Sequence, residues 1–222
     1  MDISHLIQLA NDSGGTLYLM LVLFLAALTV IIERTRHLSF MEHGGAQLIA
    51  MIKAKESRGG GFLIPEELAQ LPHASLFGVL QHESVISSHQ AIDSHLEEAI
   101  MHEVPNLDKS LWILDTVITL APLLGLLGTI VGMFNAFSIL SDAQNSVPQI
   151  TGGIAEALVA TASGLFIAII GLVFFNGLNT RVRMVLHQLE TIKIMLVNRH
   201  DKIASPFKEV VHVELIHNGA RA

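Results

Sequence analysis

Three apolar blocks constrain this chain more than any other feature of its sequence: Thr16–Ile32, Thr116–Leu140 and Ile150–Gly177. A helix rises ~1.5 Å per residue, so about 20 mostly apolar residues cross a ~30 Å hydrocarbon layer. The second and third blocks exceed that length. The first is shorter, but Tyr18 near one end and Glu33-Arg34 at the other are placed for the two membrane interfaces. The expectation is an all-α membrane protein with three transmembrane helices.

The first block differs from a cleavable signal peptide, which carries positive charge before its apolar run. Met1–Gly15 holds Asp2 and Asp12 but neither Lys nor Arg, and the basic residues Arg34 and Arg36 follow the run. That order fits a retained anchor with an exported N-terminus. The other basic residues fall at Lys53, Lys55, Arg58, Lys109 and from Arg181 onward. By the positive-inside rule, the N-terminus and the 141–149 connection face outward, and the 35–110 segment and the C-terminal part face the cytoplasm. The expected organisation is therefore a periplasmic segment 1–15, a first span 16–34 and a cytoplasmic helical region 35–110. A second span 111–140, a short periplasmic loop 141–149 and a third span 150–177 follow. A cytoplasmic helical extension 178–204 and a flexible tail 205–222 complete the chain.

Within the cytoplasmic region, Gly59-Gly60-Gly61 and Pro65 separate two helical portions. The later one, Ser75–Glu103, carries Leu76, Val79, Leu80, Ile86, Ile92, Leu96 and Ile100 at near-helical spacing, and Pro105 marks the approach to the second span. Val182, Val185, Leu189, Ile192 and Leu196 form a similar stripe after the third span. Both read as long cytoplasmic extensions of membrane helices.

Several function classes lose support. No basic stripe with interleaved aromatics suggests nucleic acid, and the net charge is −7. The chain has no cysteine, hence no disulfide or thiolate nucleophile. His82, His89, His95 and His102 are spaced 7, 6 and 7 apart, so no adjacent pair has the i, i+4 spacing of two imidazoles sharing an ion. A solvated helix face is the simpler reading, with no metal and no cofactor. A membrane enzyme lacks a nucleophile–base pair, metal cluster or phosphate loop.

Between Thr116 and Thr180 only Asp142 and Glu156 are acidic, and neither span supplies a Lys, Arg or His. Asp142 falls in the outward loop. A central membrane carboxylate costs ~2.5–3.5 kcal/mol to insert, so Glu156 is protonated, faces water or meets another polypeptide, unless it snorkels to the outer interface or caps the helix start. Small residues surround it. Gly153, Ala157, Ala160, Gly164, Ala168 and Gly171 form a stripe on the third span, and Ala121, Gly125, Gly128, Gly132 and Ala136 form one on the second. Such stripes let helices approach closely in lipid. Beside them stand Thr129, Thr161, Ser163 and Asn135. A single membrane threonine usually bonds back to its own helix, but Thr129, Glu156 and Thr161 together suggest a polar lumen.

LAPLLGLLGTIVGMFNAF (120–137) and GGIAEALVATASGLFIAI (152–169) resemble the paired signatures of the ExbB/TolQ/MotA proton-channel family, and IIERTRHLSF (31–40) is similar to its first-helix boundary. The resemblance implies a multi-pass subunit of the bacterial inner membrane. It implies a homo-pentamer around a dimer of single-span ExbD/TolR-type partners, with proton flow driving a motion passed to TonB or TolA. The family's pore threonine maps onto Thr129, and its glutamate and following threonine onto Glu156 and Thr161. Gly152 stands where a proline is usual and Val131 near a usual tryptophan, while Pro148 lies slightly earlier. Three spans disfavour the four-span flagellar type, and the short outward loop favours ExbB over TolQ. The expected function is a proton-channel stator subunit that uses the proton motive force to energise TonB-dependent transport. The alternatives are a TolQ-type subunit energising TolA for envelope integrity and a non-conducting membrane scaffold.

Overall fold

The computed structural model describes residues 15–56, 68, 70–83, 89–138 and 147–219. Asp142, the glycine triplet 59–61, Pro65, the side chain of His82 and most of the two expected periplasmic segments lie outside these residues. Five helices make up the described chain: α1 (Thr16–Glu56), α2 (Pro72–Glu83), α3 (His89–Asp108), α4 (Leu111–Ser138) and α5 (Val147–Gly219). Three stretches, within α1, α3–α4 and α5, are long and apolar enough to cross a membrane. The chain is an all-helical, multi-pass membrane protein.

Helix α1 starts at Gly15, whose positive φ of 83° suits a residue without a Cβ, and Leu19 N donates to Gly15 O at 3.3 Å. At ~1.5 Å per residue, its 41 residues are far longer than one bilayer crossing. The described parts of the helical portion expected over Ser75–Glu103 fall in α2 and α3. Pro105 lies inside α3 and does not end it. The break before the second span comes at Ser110, with φ 67°, whose carbonyl accepts from Ile113 N at 3.2 Å. A left-handed residue just past a helix end redirects the chain more sharply than a proline that removes one hydrogen bond. Likewise α5 continues through Pro206 to Gly219, where the sequence reads as a flexible tail.

The chain divides into two compact units, residues 1–35 with 110–179, and residues 36–109 with 180–222. In the first unit α4 and α5 run antiparallel through their small residues. A Cβ on Gly132 would lie 3.0 Å from Ala157 Cβ, one on Gly125 3.0 Å from Thr161 Cα, and one on Gly171 2.9 Å from Ile118 Cγ1. Falling residue numbers on α4 thus meet rising numbers on α5. Thr16 at the start of α1 packs on Gly128, where an added Cβ would lie 2.8 Å from its hydroxyl. Outward-facing side chains such as Leu123, Ile130, Phe134, Phe166, Ile169 and Val173 remain exposed, an apolar surface suited to lipid.

In the second unit, Leu38, Leu48, Leu76, Ile92, Leu96, Leu189 and Ile192 form the buried core. Gln188 Nε2 donates to Glu42 O at 3.0 Å, joining α5 to α1. Lys193 on α5 bonds Glu97 and lies 3.1 Å from Asp93, both on α3. His73 at the start of α2 is fully buried beside Gly45 and Gln188.

Candidate functional site

The tightest polar cluster in the apolar half of the chain is built by the glycine register. Gly125 has no side chain to hold α5 away, so Thr161 reaches across to donate to Gly125 O at 3.0 Å. Thr129, one turn further along α4, lies 3.1 Å from the same carbonyl and 3.3 Å from Ala157 O on α5. The two hydroxyls are themselves in hydrogen-bond contact. Each hydroxyl has one proton and two lone pairs, so the three carbonyl contacts and the hydroxyl pair cannot all be donated at once. The cluster therefore has interchangeable donor patterns, the property a proton relay needs. The back-bond expected of a membrane threonine is present at Thr129, but it coexists with bonds between helices.

The helix-packing residues occupy this same contact. Gly125, Gly128 and Gly132 are buried on α4, and Ala157, Ala160 and Gly164 on α5. Gly164 packs on the Ala121 carbonyl, and a Cβ on Gly153 would lie 2.8 Å from Ala136 Cβ. Their burial explains why the stripes contain no larger residue.

Glu156 lies on a different flank of α5 from Thr161. Five residues separate it from Thr161, which places it ~140° around the helix and ~7.5 Å along it. It is half-buried on the opposite flank of α5. Ser163, seven residues from Glu156 and thus on nearly the same face, bonds back to Val159 O at 2.8 Å. Asn135 is exposed. The structure thus unites Thr129 with Thr161 and places Glu156 nearer the start of α5.

Reading outward from the second apolar block missed one acidic residue. Asp115 stands one residue before that block and is exposed. It shares a flank of α4 with Thr119, Pro122, Leu126 and Thr129, a 4, 3, 4, 3 repeat visible in the sequence.

Outside the apolar helices, His95 Nδ1 and His102 Nε2 each lie 3.9 Å from Glu98, on an exposed face. Among the described residues no group of three or more His, Cys, Asp or Glu side chains could hold a metal ion. His73 has its pKa lowered to about 4, chiefly by burial, with a weaker opposing effect from Gln188.

Comparison with known proteins agrees with this layout. Residues 70–191, more than half the chain, match the model of the MotA/TolQ/ExbB proton channel family. An ExbB-like 3 biopolymer transport protein of Synechocystis is 43% identical over 115 residues, covering 48% of this chain and 54% of that protein. The TolQ protein of Haemophilus influenzae is 41% identical over 88 residues, 39% of each chain. An ExbB of Neisseria gonorrhoeae is 37% identical over 86 residues, 36% of this chain and 39% of the other. The chain thus matches about half or less of each relative's length. A family match spanning α2 to the middle of α5, with the two small-residue helices and their threonine pair inside it, shows that the chain belongs to the MotA/TolQ/ExbB proton channel family.

Proposed function

We propose that this protein is a proton-channel subunit of the ExbB/TolQ type in the bacterial inner membrane, with its N-terminus outward and its C-terminus in the cytoplasm. It works as a homo-pentamer whose α4 and α5 helices line a lumen occupied by a dimer of single-span ExbD-like partners. Proton passage between the lumen and the partner drives motion that a TonB-like transducer carries to the outer membrane. The observation that carries this reading is the Thr129–Thr161 hydroxyl pair. It is a polar, multiply hydrogen-bonded group inside two apolar helices, with more acceptors in reach than protons to donate. Glu156, half-buried in α5, contributes a second polar site nearer the outward end.

TolQ relatives match at identities similar to those of the ExbB proteins, which favours a second reading in which the transducer is TolA-like and the process is envelope integrity. The two readings differ in phenotype. Loss of the protein abolishes energy-dependent uptake in the first, and causes leakage of periplasmic contents in the second.

The test of conduction is proton flux into proteoliposomes holding the protein with its ExbD-type partner. The double variant Thr129→Val/Thr161→Val is expected to lower flux by about tenfold or more, equivalent to ~1.4 kcal/mol or more in the barrier. The Thr129→Ser/Thr161→Ser variant, which keeps both hydroxyls, should stay near the parent. Equal flux through the valine variant would refute a relay at this pair. A wild-type complex that conducts no protons under a pH gradient would refute the channel itself.

A further inference from the structure

The carboxylate of Asp115 has no part in the reading above, and its place on α4 gives it one. We infer that Asp115 is the proton-release group at the end of the channel away from Glu156, taking protons that have passed the Thr129–Thr161 pair. The inference rests on the proposed channel function and extends it to a named exit.

Position along the helix comes first. Trp112 is 70% exposed at the start of α4, and an exposed tryptophan at a span's end belongs at the headgroup level. Asp115 stands one turn deeper into the span, where an ionisable residue is costly and is retained for function more often than for packing. Fourteen residues, ~21 Å of helix, separate it from Thr129. Glu156 lies beyond the threonines in the other direction, because α4 and α5 run antiparallel. The hydroxyl pair is therefore bracketed by a carboxylate towards each end of the unit.

Position around the helix comes second. The face of α4 that packs on α5 carries Leu114, Val117, Ala121, Gly125, Gly128 and Gly132. Thr119, Pro122 and Thr129 each fall within ~40° of Asp115 on the flank beside it. Two polar devices occupy the interval. Thr119 Oγ1 contacts Thr116 O at 2.9 Å and Asp115 O at 3.2 Å, so its hydroxyl can switch between two acceptors. Pro122 has no N–H, so the carbonyl of Ile118 lacks its usual helical donor and is available to water. Asp115 itself is exposed and offers acceptors at the end of the row.

The proton balance is simple. The Asp115 carboxylate accepts a proton delivered through bridging water along this flank, becomes the neutral acid, and returns the proton to bulk water. No charge accumulates and no other reactant is consumed. A purely structural role is the competing account, since a carboxylate near a helix N-terminus is favoured by the helix dipole.

The two accounts separate in the assembled complex. The chain has no cysteine, so Asp115→Cys places a single thiol on this face. After co-purification with the ExbD-type partner and reconstitution, that variant is expected to conduct protons at least about fivefold more slowly than wild type. Modification by a thiosulfonate reagent bearing a carboxylate should restore a large part of the flux, whereas one bearing a sulfonate, which cannot take up the proton, or an ammonium should not. Asp115→Glu should conduct like the parent. Wild-type flux through unmodified Asp115→Cys, while Thr129→Val/Thr161→Val is blocked, would overturn the exit and leave the channel intact. Loss of flux that no reagent restores, with unchanged pentamer and partner content, would also overturn it in favour of the structural role. Absence of flux in wild type would overturn channel and exit together.

Discussion

A glycine packed against a backbone carbonyl has no tolerance for a side chain, because the carbonyl cannot rotate away. Gly164 is such a residue. A Cβ there would meet the Ala121 carbonyl oxygen and approach Gly125 Cα at 3.1 Å, while a Cβ on Gly152, in the same helix, would have no atom within 4 Å. We expect Gly164→Ala to destabilise the α4–α5 contact by about 1–3 kcal/mol, the usual cost of overpacking. Gly152→Ala should be neutral or stabilising by up to ~1 kcal/mol through helix propensity. Thermal unfolding of the two variants in the same detergent checks the difference. At this scale the stripes were legible because small residues recur every three or four positions. The threonine pair was only half legible. Thr129 and Thr161 could be picked out as polar residues in apolar helices, but their contact depends on which glycine meets which residue across the interface. Glu156 shows the converse. It is close to Thr161 in the sequence and on another flank in the helix.

Helices α3 and α4 part where the backbone changes hand, not where proline occurs. Pro105 and Pro122 lie within α3 and α4, and Ser110, with its positive φ, separates the two helices. Periodicity could place the helices but not that junction, since serine carries no strong signal for a left-handed turn. In α5 the buried positions Leu178, Val182, Val185, Leu189, Ile192 and Leu196 continue the three-and-four spacing of Ala157, Ala160, Gly164 and Ile167. One register thus serves small residues in the membrane part and branched or long ones beyond it. Helix α2 is held differently. His73 at its first turn is fully buried, and burial keeps its pKa near 4 against the 6.5 of an open imidazole. The unfolded chain therefore binds more protons than the folded one between those values, so stability is full above about pH 6.5 and falls as pH drops towards 4. Complete loss of this contribution amounts to about 3 kcal/mol. Protection from hydrogen exchange over residues 72–80, after allowance for the slower intrinsic exchange at lower pH, should fall across that window, and His73→Met should remove that fall while leaving protection at pH 7.5 little changed.

The chain divides into two compact units, with α4 in the first and α2 and α3 in the second, and α1 and α5 contribute residues to each. Its proposed orientation is open to a direct test because the chain has no native cysteine. Single cysteines in place of Thr151, Lys53 and Arg183, all exposed, should divide by side. An impermeant maleimide added to intact spheroplasts is expected to label the Thr151→Cys variant alone. It should label the other two only after lysis. Labelling of Lys53→Cys or Arg183→Cys in intact spheroplasts would reverse the topology.

The sequence by itself determined that this chain is helical, that three of its stretches suit a membrane, and that two of these carry small-residue faces. Those properties follow from composition and period, which act locally along the chain. Only the tertiary structure decided that Gly125 admits Thr161 and that Thr129 joins it. It also decided that His73 is buried and that the second span begins after a reversal at Ser110. Such facts depend on how two surfaces meet, and the spacing of residues along one helix carries no information about the residue opposite.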